Sequence, residues 1–104
     1  MTYKFNITTD SDHLLIPRDS RRGAVNKISI VNKGLKTAVS IFLKDMVTGG
    51  NPEYSILKTT MPPSTNILLD DKELLNYDSG KYELRFVCAD TASAGNSTID
   101  IIIK

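Results

Sequence analysis

Apolar and polar residues alternate with a period of two along most of the chain. Successive side chains of a strand point to opposite sides, so this alternation predicts strands with one core face and one mostly polar face. The pattern is clearest in the segments 3–7, 28–30, 39–43, 54–56, 67–69, 82–86 and 99–103. Helix is expected only as a single turn around residues 71–75, which is too short to form without tertiary contacts.

Clusters of Gly, Pro, Asn, Asp and Ser separate these segments, as turns require. Pro62 and Pro63 cannot donate to a sheet ladder and so mark a strand end or a switch between sheets. We therefore predict one domain over residues 1–104: an all-β, antiparallel immunoglobulin-like β-sandwich of about seven to eight strands. The residues expected to build its core are Phe5, Ile28, Ile30, Val39, Ile41, Ile67, Leu69, Leu84, Phe86, Ile99 and Ile101.

Residues 78–84 have the spacing of a tyrosine corner, in which a tyrosine near the start of a late strand bonds back across the preceding loop. We expect the Tyr82 hydroxyl to bond backbone within residues 72–77. Leu84 stands where an antibody domain carries its second cysteine, which suits a sandwich held by packing alone. The alternative is a core tyrosine whose hydroxyl reaches the surface.

Composition places the chain among soluble, single-domain proteins, with 104 residues, 40% hydrophobic and 24% charged. Its net charge of +1 gives no strong attraction to nucleic acid or to acidic membranes, so neither is expected as a partner. The first residues follow a strand pattern without the apolar run of a signal peptide, and no apolar run is long enough to cross a bilayer. We expect a protein that is not exported by the usual signal route.

Residue types that carry chemistry are few. Cys88 falls on the core face of its segment, so a buried thiol is expected instead of a nucleophile. His13 lies close to Asp10 and Asp12, a grouping more typical of an exposed turn than of a metal site. No nucleophile-elbow pattern or glycine-rich phosphate loop is present in the sequence. We expect no enzymatic activity, no metal and no cofactor.

Phe42 interrupts the alternation, because it lies opposite the apolar face formed by Val39, Ile41 and Leu43. A large apolar side chain on the polar side of a strand belongs either to a second buried face or to a surface that contacts a partner. Both interpretations remain open from the sequence.

The segment from Arg18 to Lys27 carries the only concentrated positive charge of the chain. Arg18, Arg21 and Arg22 are the candidate partner-binding residues, since they could pair with acidic surfaces on another protein. Asp19 lies among them, and a solvated loop without a partner is the alternative. The small-residue segment 90–97 is the second candidate contact region.

The second half contains a connected pattern: residues 39–43 (VSIFL), 54–70 (YSILKTTMPPSTNILLD), 77–84 (YDSGKYEL) and 99–104 (IDIIIK). This pattern resembles small structural proteins of tailed bacteriophages, particularly of marine myophages. Their immunoglobulin-like domains run from a tyrosine-led strand through a proline-started, Leu-rich strand to a Y-x-L strand and an isoleucine-rich last strand. The resemblance covers roughly residues 28–104, at positions that are mainly core and turn positions.

The resemblance implies a virion structural protein that decorates the capsid or joins neck and tail components through loop and edge-strand contacts. The implied partners are other virion proteins, with many copies of this chain per particle. The implied location is the virion, after synthesis in the host cytoplasm. The same fold also suits a soluble ligand-binding module of the carbohydrate-binding or adhesion type, because a fold does not fix a function.

Overall fold

The computed structural model of the chain describes residues 2–8, 12–20, 24–34, 36–89 and 99–104. They form strands and one helical turn: β1 (Tyr3–Ile7), β2 (His13–Ile16), β3 (Ile28–Asn32), β4 (Thr37–Asp45), β5 (Glu53–Met61), β6 (Thr65–Leu69), α1 (Lys72–Leu75), β7 (Tyr82–Ala89) and β8 (Ile99–Ile103). Asp71 caps the helical turn by accepting a hydrogen bond from the Leu74 amide at 3.2 Å. The turn predicted around residues 71–75 is confirmed.

The strands form two antiparallel sheets of four. Sheet one has the order β1-β8-β3-β6, and sheet two has the order β2-β7-β4-β5. The β4–β5 hairpin stays within sheet two, whereas the other connections between successive strands cross from one sheet to the other. In sheet one the first strand pairs with the last, with Tyr3 opposite Ile103 and Ile7 opposite Ile99.

This strand order is that of a jelly roll, the eight-stranded sandwich made of two Greek keys. An immunoglobulin domain has its first two strands in one sheet, whereas β1 and β2 lie in different sheets here. The prediction of an all-β, antiparallel sandwich of about seven to eight strands is confirmed. The connectivity is that of a jelly roll, which period-two alternation cannot distinguish from an immunoglobulin-like order.

The core lies between the two sheets and is built from the inward side chains of the central strands. Eight of the residues expected there are buried: Ile28, Ile30, Val39, Ile41, Leu84, Phe86, Ile99 and Ile101. Phe5, Ile67 and Leu69 are only partly buried, because β1 and β6 are the two outer strands of sheet one. An outer strand lacks a neighbouring strand on one side, so its inward side chains remain partly exposed to solvent.

Strand β2 is the element that the alternation does not predict. Its pairing with β7 shifts register between Leu14 and Ile16, and Leu15 and Ile16 are both buried. Such a bulge places two successive side chains on the same side and removes the period of two. His13, expected in an exposed turn, is the first residue of this strand and lies opposite Phe86, partly buried.

The chain changes sheets between β5 and β6, at the position of Pro62 and Pro63, as predicted. Asn32 holds this crossover: its fully buried side-chain amide donates to the carbonyl of Met61 at 3.1 Å and to that of Pro62 at 3.2 Å. A buried amide with satisfied donors fixes a local conformation, because leaving it unpaired would cost a hydrogen bond in a dry environment.

Tyr82 does not form the predicted corner. Its ring packs edge-on against Tyr54 with ring centroids 6.2 Å apart, and the Lys81 ammonium lies 5.4 Å from its centroid. Within the described part of the chain, no hydrogen bond joins the Tyr82 hydroxyl to the backbone of residues 72–77. The half-buried ring is instead part of the packing between β5 and β7.

Candidate functional site

The outer face of sheet two carries a shallow hollow. Its volume is about 370 Å³, and its lining combines carboxylates, hydroxyls, an ammonium group and two apolar side chains: Asp12, Ser40, Phe42, Glu53, Ser55, Lys58 and Val87. Six of these residues lie on β4, β5 and β7, and Asp12 directly precedes β2, so the hollow extends across all four strands of the sheet. Its volume falls at the lower end of the range of small-molecule sites.

Phe42 lies on this outer face and not in the core between the sheets. Its Cα partners are Arg85 on β7 and Ser55 on β5. The register of β4 and β5 shifts next to it, between Ile41 and Phe42, which leaves Ile56 as the extra residue. Phe42 is nevertheless only 8% exposed. It therefore belongs to a second, small buried region on the outside of sheet two.

An ion-pair cluster lies beside Phe42, around its cross-strand partner Arg85. The Arg85 guanidinium contacts a carboxylate oxygen of Asp12 at 2.8 Å and one of Glu83 at 2.7 Å. Burial disfavours the charge of Arg85, but the hydrogen bonds with Asp12 and Glu83 outweigh it and raise the pKa of the guanidinium. The Asp12 carboxylate is thus already engaged by Arg85.

The hollow retains charged groups that could meet a ligand. Among the described residues, no hydrogen bond or ion pair engages the side chains of Glu53 and Lys58, which are exposed on β5. Ser40 and Ser55 add hydroxyls that both donate and accept hydrogen bonds. The sequence singled out Phe42, but the grouping of Ser40, Ser55 and Lys58 around it depends on strand register and could not be predicted.

The arginine-rich segment is held at both ends. The Asp19 amide donates to the Ser79 carbonyl at 2.7 Å, and Val25 exchanges two hydrogen bonds of 2.9 Å with the Asn76 side chain. Arg18 is well exposed, and its guanidinium lies 3.4 Å from the Asp19 carboxylate. An exposed pair of this kind contributes little, so Arg18 stays accessible to a partner. Arg21 and Arg22 lie outside the described residues, as do residues 90–97.

The other residues that the sequence singled out for possible chemistry are Cys88, Asp10 and Asp12. Cys88 is buried, as expected. Asp12 pairs with Arg85, and Asp10 lies outside the described residues. The part of the chain that the structure describes contains no group of three or more His, Cys, Asp or Glu residues that could hold a metal. Among the same residues, no helix has the length and apolar character that a membrane crossing requires.

No protein-family model matches the chain, and no curated protein matches it either. Among solved structures, the chain is similar to the Yersinia pseudotuberculosis-derived mitogen, known from a crystal structure, with a TM-score of 0.42 and 14% sequence identity. That comparison covers 99% of this chain and 81% of the mitogen chain. The strand order of the chain itself defines the class of protein, an eight-stranded jelly-roll sandwich.

Proposed function

We propose that this chain is a structural protein of a tailed-bacteriophage virion, which decorates the capsid or joins neck and tail components. The observation that carries the proposal is the jelly-roll sandwich with four outer strands, since each outer strand offers unpaired backbone groups to a neighbour in an assembly. Jelly rolls are a common building unit of viral capsids, which is support by analogy of fold. The resemblance of residues 28–104 to phage structural proteins points in the same direction.

The proposed contacts are the loop from Arg18 to Lys27 first and the segment 90–97 second. Arg18 is exposed and only weakly paired, so an acidic partner surface could replace Asp19 as its neighbour. The hydrogen bonds of Asp19 and Val25 fix both ends of the loop against the body of the domain. Arg18, next to the anchored Asp19, is thus presented with a smaller entropic cost of binding than in a free segment.

Reconstitution on particles tests this role. Particles that lack the protein are mixed with wild-type protein or with a triple variant, Arg18→Ala with Arg21→Ala and Arg22→Ala, and occupancy is measured at low and moderate salt. The matched control removes three exposed lysines elsewhere, Lys4, Lys36 and Lys72. We expect the arginine variant to bind more weakly and with less salt dependence than either of the others. Equal occupancy of all three proteins would dismiss the loop, and failure of the wild type to bind would overturn the virion role.

The hollow on sheet two favours a second candidate, a carbohydrate-binding module. Hydroxyl, carboxylate and ammonium groups lie beside Val87 and the mostly covered Phe42, and this lining suits the mixed polar and apolar surface of a sugar. Calorimetric titration with neutral oligosaccharides tests it, using Ser40→Ala with Ser55→Ala and, as control, Thr60→Ala outside the hollow. Binding that only the serine variant loses would support this candidate. Absence of binding to the wild type at millimolar sugar would reject it.

A further inference from the structure

The four outer strands of the sandwich differ in how well they are protected against pairing with another chain. Natural proteins protect such edges with charged side chains, bulges, short length or proline. β1 carries an exposed lysine, Lys4. β2 has only four residues and contains a register shift. β5 also pairs with its neighbour through a register shift and carries the exposed charges of Glu53 and Lys58.

Strand β6 has five residues and none of the other protections. It pairs with β3 residue by residue, from Leu69 opposite Ile28 to Thr65 opposite Asn32, without any shift. Its sequence, TNILL, contains no charge and no proline. Leu68 points outward from sheet one and is 57% exposed. An uncharged, regular edge with an exposed leucine is the kind that joins another strand.

We propose that β6 pairs with β6 of a second copy of this chain, in antiparallel orientation around a twofold axis at Ile67. Such a contact is isologous and joins two copies of sheet one into a continuous sheet of eight strands. Leu68 of each copy then lies opposite Asn66 of the other. The inward side chain of Ile67, half-buried in one copy, then lies beside Ile67 of the second, and that of Leu69 lies opposite Thr65.

Charge and proline positions favour this occupant and this register. Strand β6 carries no charged side chain, so the β6 edges of two copies can approach without charge repulsion. The axis at Ile67 places Asp70 and Asp71 opposite Ser64 and Pro63, and not opposite each other. Pro63 lacks an amide hydrogen, so the ladder ends there, and a centred register pairs all five residues. The contact needs no other particle protein and is independent of the virion proposal.

Exchange of charges across the proposed axis tests the pairing. One double variant combines Asn66→Lys with Leu68→Lys, and the other combines Asn66→Glu with Leu68→Glu. Each places like charges opposite one another in a self-pair, whereas every lysine faces a glutamate when the two variants are mixed. The matched control adds two lysines to β5, an outer strand of sheet two, as Ser55→Lys with Thr60→Lys. Circular dichroism checks that all variants keep their strand content, and the single changes Leu68→Lys and Leu68→Glu replace any double variant that does not.

Sedimentation velocity over about 1 μM to about 1 mM protein gives the outcome. We expect the wild type and the β5 control to dimerise alike, each β6 variant to associate at least about tenfold more weakly, and the mixture to recover the dimer. A wild type that stays monomeric throughout, β6 variants that dimerise unchanged, or a mixture that stays monomeric would each overturn the proposal. A β5 control that loses association as strongly as the β6 variants would overturn it as well.

Discussion

Phe42 on β4 and Arg85 on β7 are direct cross-strand partners on the outer face of sheet two. The arginine is fixed on either side by Asp12 and Glu83, and the ring of Phe42 is almost completely covered. An apolar side chain on the outside of a sheet is thus buried next to an ion-pair cluster. This pair defines a small second region of packing, and Phe42 also lines the hollow that could receive a ligand.

Replacing Phe42 with Ala should lower the free energy of unfolding by about 3 kcal/mol, the lower end of the range for a buried phenylalanine, because solvent can enter the space that the ring leaves. Urea unfolding measures the change. The control is Val47→Ala in the β4–β5 loop, where Val47 is 61% exposed. Its effect should stay within about 0.5 kcal/mol. Equal effects of the two substitutions would place Phe42 outside the packed structure.

Arg85 and Glu83 should show strong coupling in a double-mutant cycle. Arg85→Gln leaves the mostly buried Glu83 carboxylate without its cation, which should cost about 1–3 kcal/mol. Glu83→Gln in the same chain should recover part of that loss, because a neutral amide tolerates burial better. The exposed pair of Lys33 and Asp100, 2.9 Å apart, is the comparison and should couple by less than about 1 kcal/mol. Simple additivity of Arg85→Gln and Glu83→Gln would contradict the cluster.

Asp45 should make the domain sensitive to acid. Its buried carboxylate accepts hydrogen bonds from the amides of Thr48 and Val47, both at 2.9 Å. The bond from Thr48 has the largest effect on the pKa of Asp45, and together the bonds lower that pKa from 3.8 to about 2. A group with a lowered pKa in the folded state contributes stability that is present above about pH 4 and is lost as the pH falls towards 2.

Unfolding measured between pH 5 and pH 2 checks this expectation. Asp45→Asn should be less stable than the wild type at neutral pH, and its stability should fall less steeply on acidification. Asp70→Asn, at an exposed position without a described hydrogen bond, serves as the control and should follow the wild type. If Asp45→Asn and the wild type lose stability in parallel over this range, the Asp45 hydrogen bonds do not contribute in the way described.

The same substitution at two leucines should separate core from surface. Leu84 is 1% exposed between the sheets, and Leu84→Ala should cost about 2–5 kcal/mol, as should Ile41→Ala. Leu74 on α1 is 44% exposed, so Leu74→Ala should cost under about 1 kcal/mol. Thermal melting followed by circular dichroism gives both values. Comparable costs at Leu84 and Leu74, or a helical spectrum, would argue against the sandwich.

Tyr82→Phe should leave stability within about 0.5 kcal/mol of the wild type, because the hydroxyl makes no bond to the described backbone of residues 72–77. Tyr82→Ala should cost more, since it removes the edge-on packing against Tyr54. If Tyr82→Phe lowers the free energy of unfolding by about 0.5–1.5 kcal/mol, the result would support the tyrosine corner instead.

The sequence predicts the central strands because their inward residues obey a strict period of two, as in Ile28 and Ile30 or Ile99 and Ile101. It does not predict β2, where a bulge buries Leu15 and Ile16 side by side. Nor does it give the strand order, since alternation specifies which side of a strand is buried and not which strand lies beside it.

The sequence likewise predicts only part of the candidate site. Phe42 could be found because it violates the pattern of β4. Arg85 and Asp12, which are 73 positions apart, meet only through the register of β2 against β7. The hydrogen bonds that hold Asp19 and Val25 likewise come from distant segments. Long-range pairing of this kind leaves no local signal in composition or spacing.

The virion role is tested most directly by quantitative mass spectrometry of purified phage particles. Particles are banded in a density gradient, washed at high salt to remove loosely bound host proteins, and compared with the same fractions from a phage in which the coding sequence is deleted. We expect peptides of this chain in a fixed ratio to the major capsid protein through successive gradient fractions. Its absence from the wild-type particles, or an amount that varies independently of the capsid protein, would contradict the proposal.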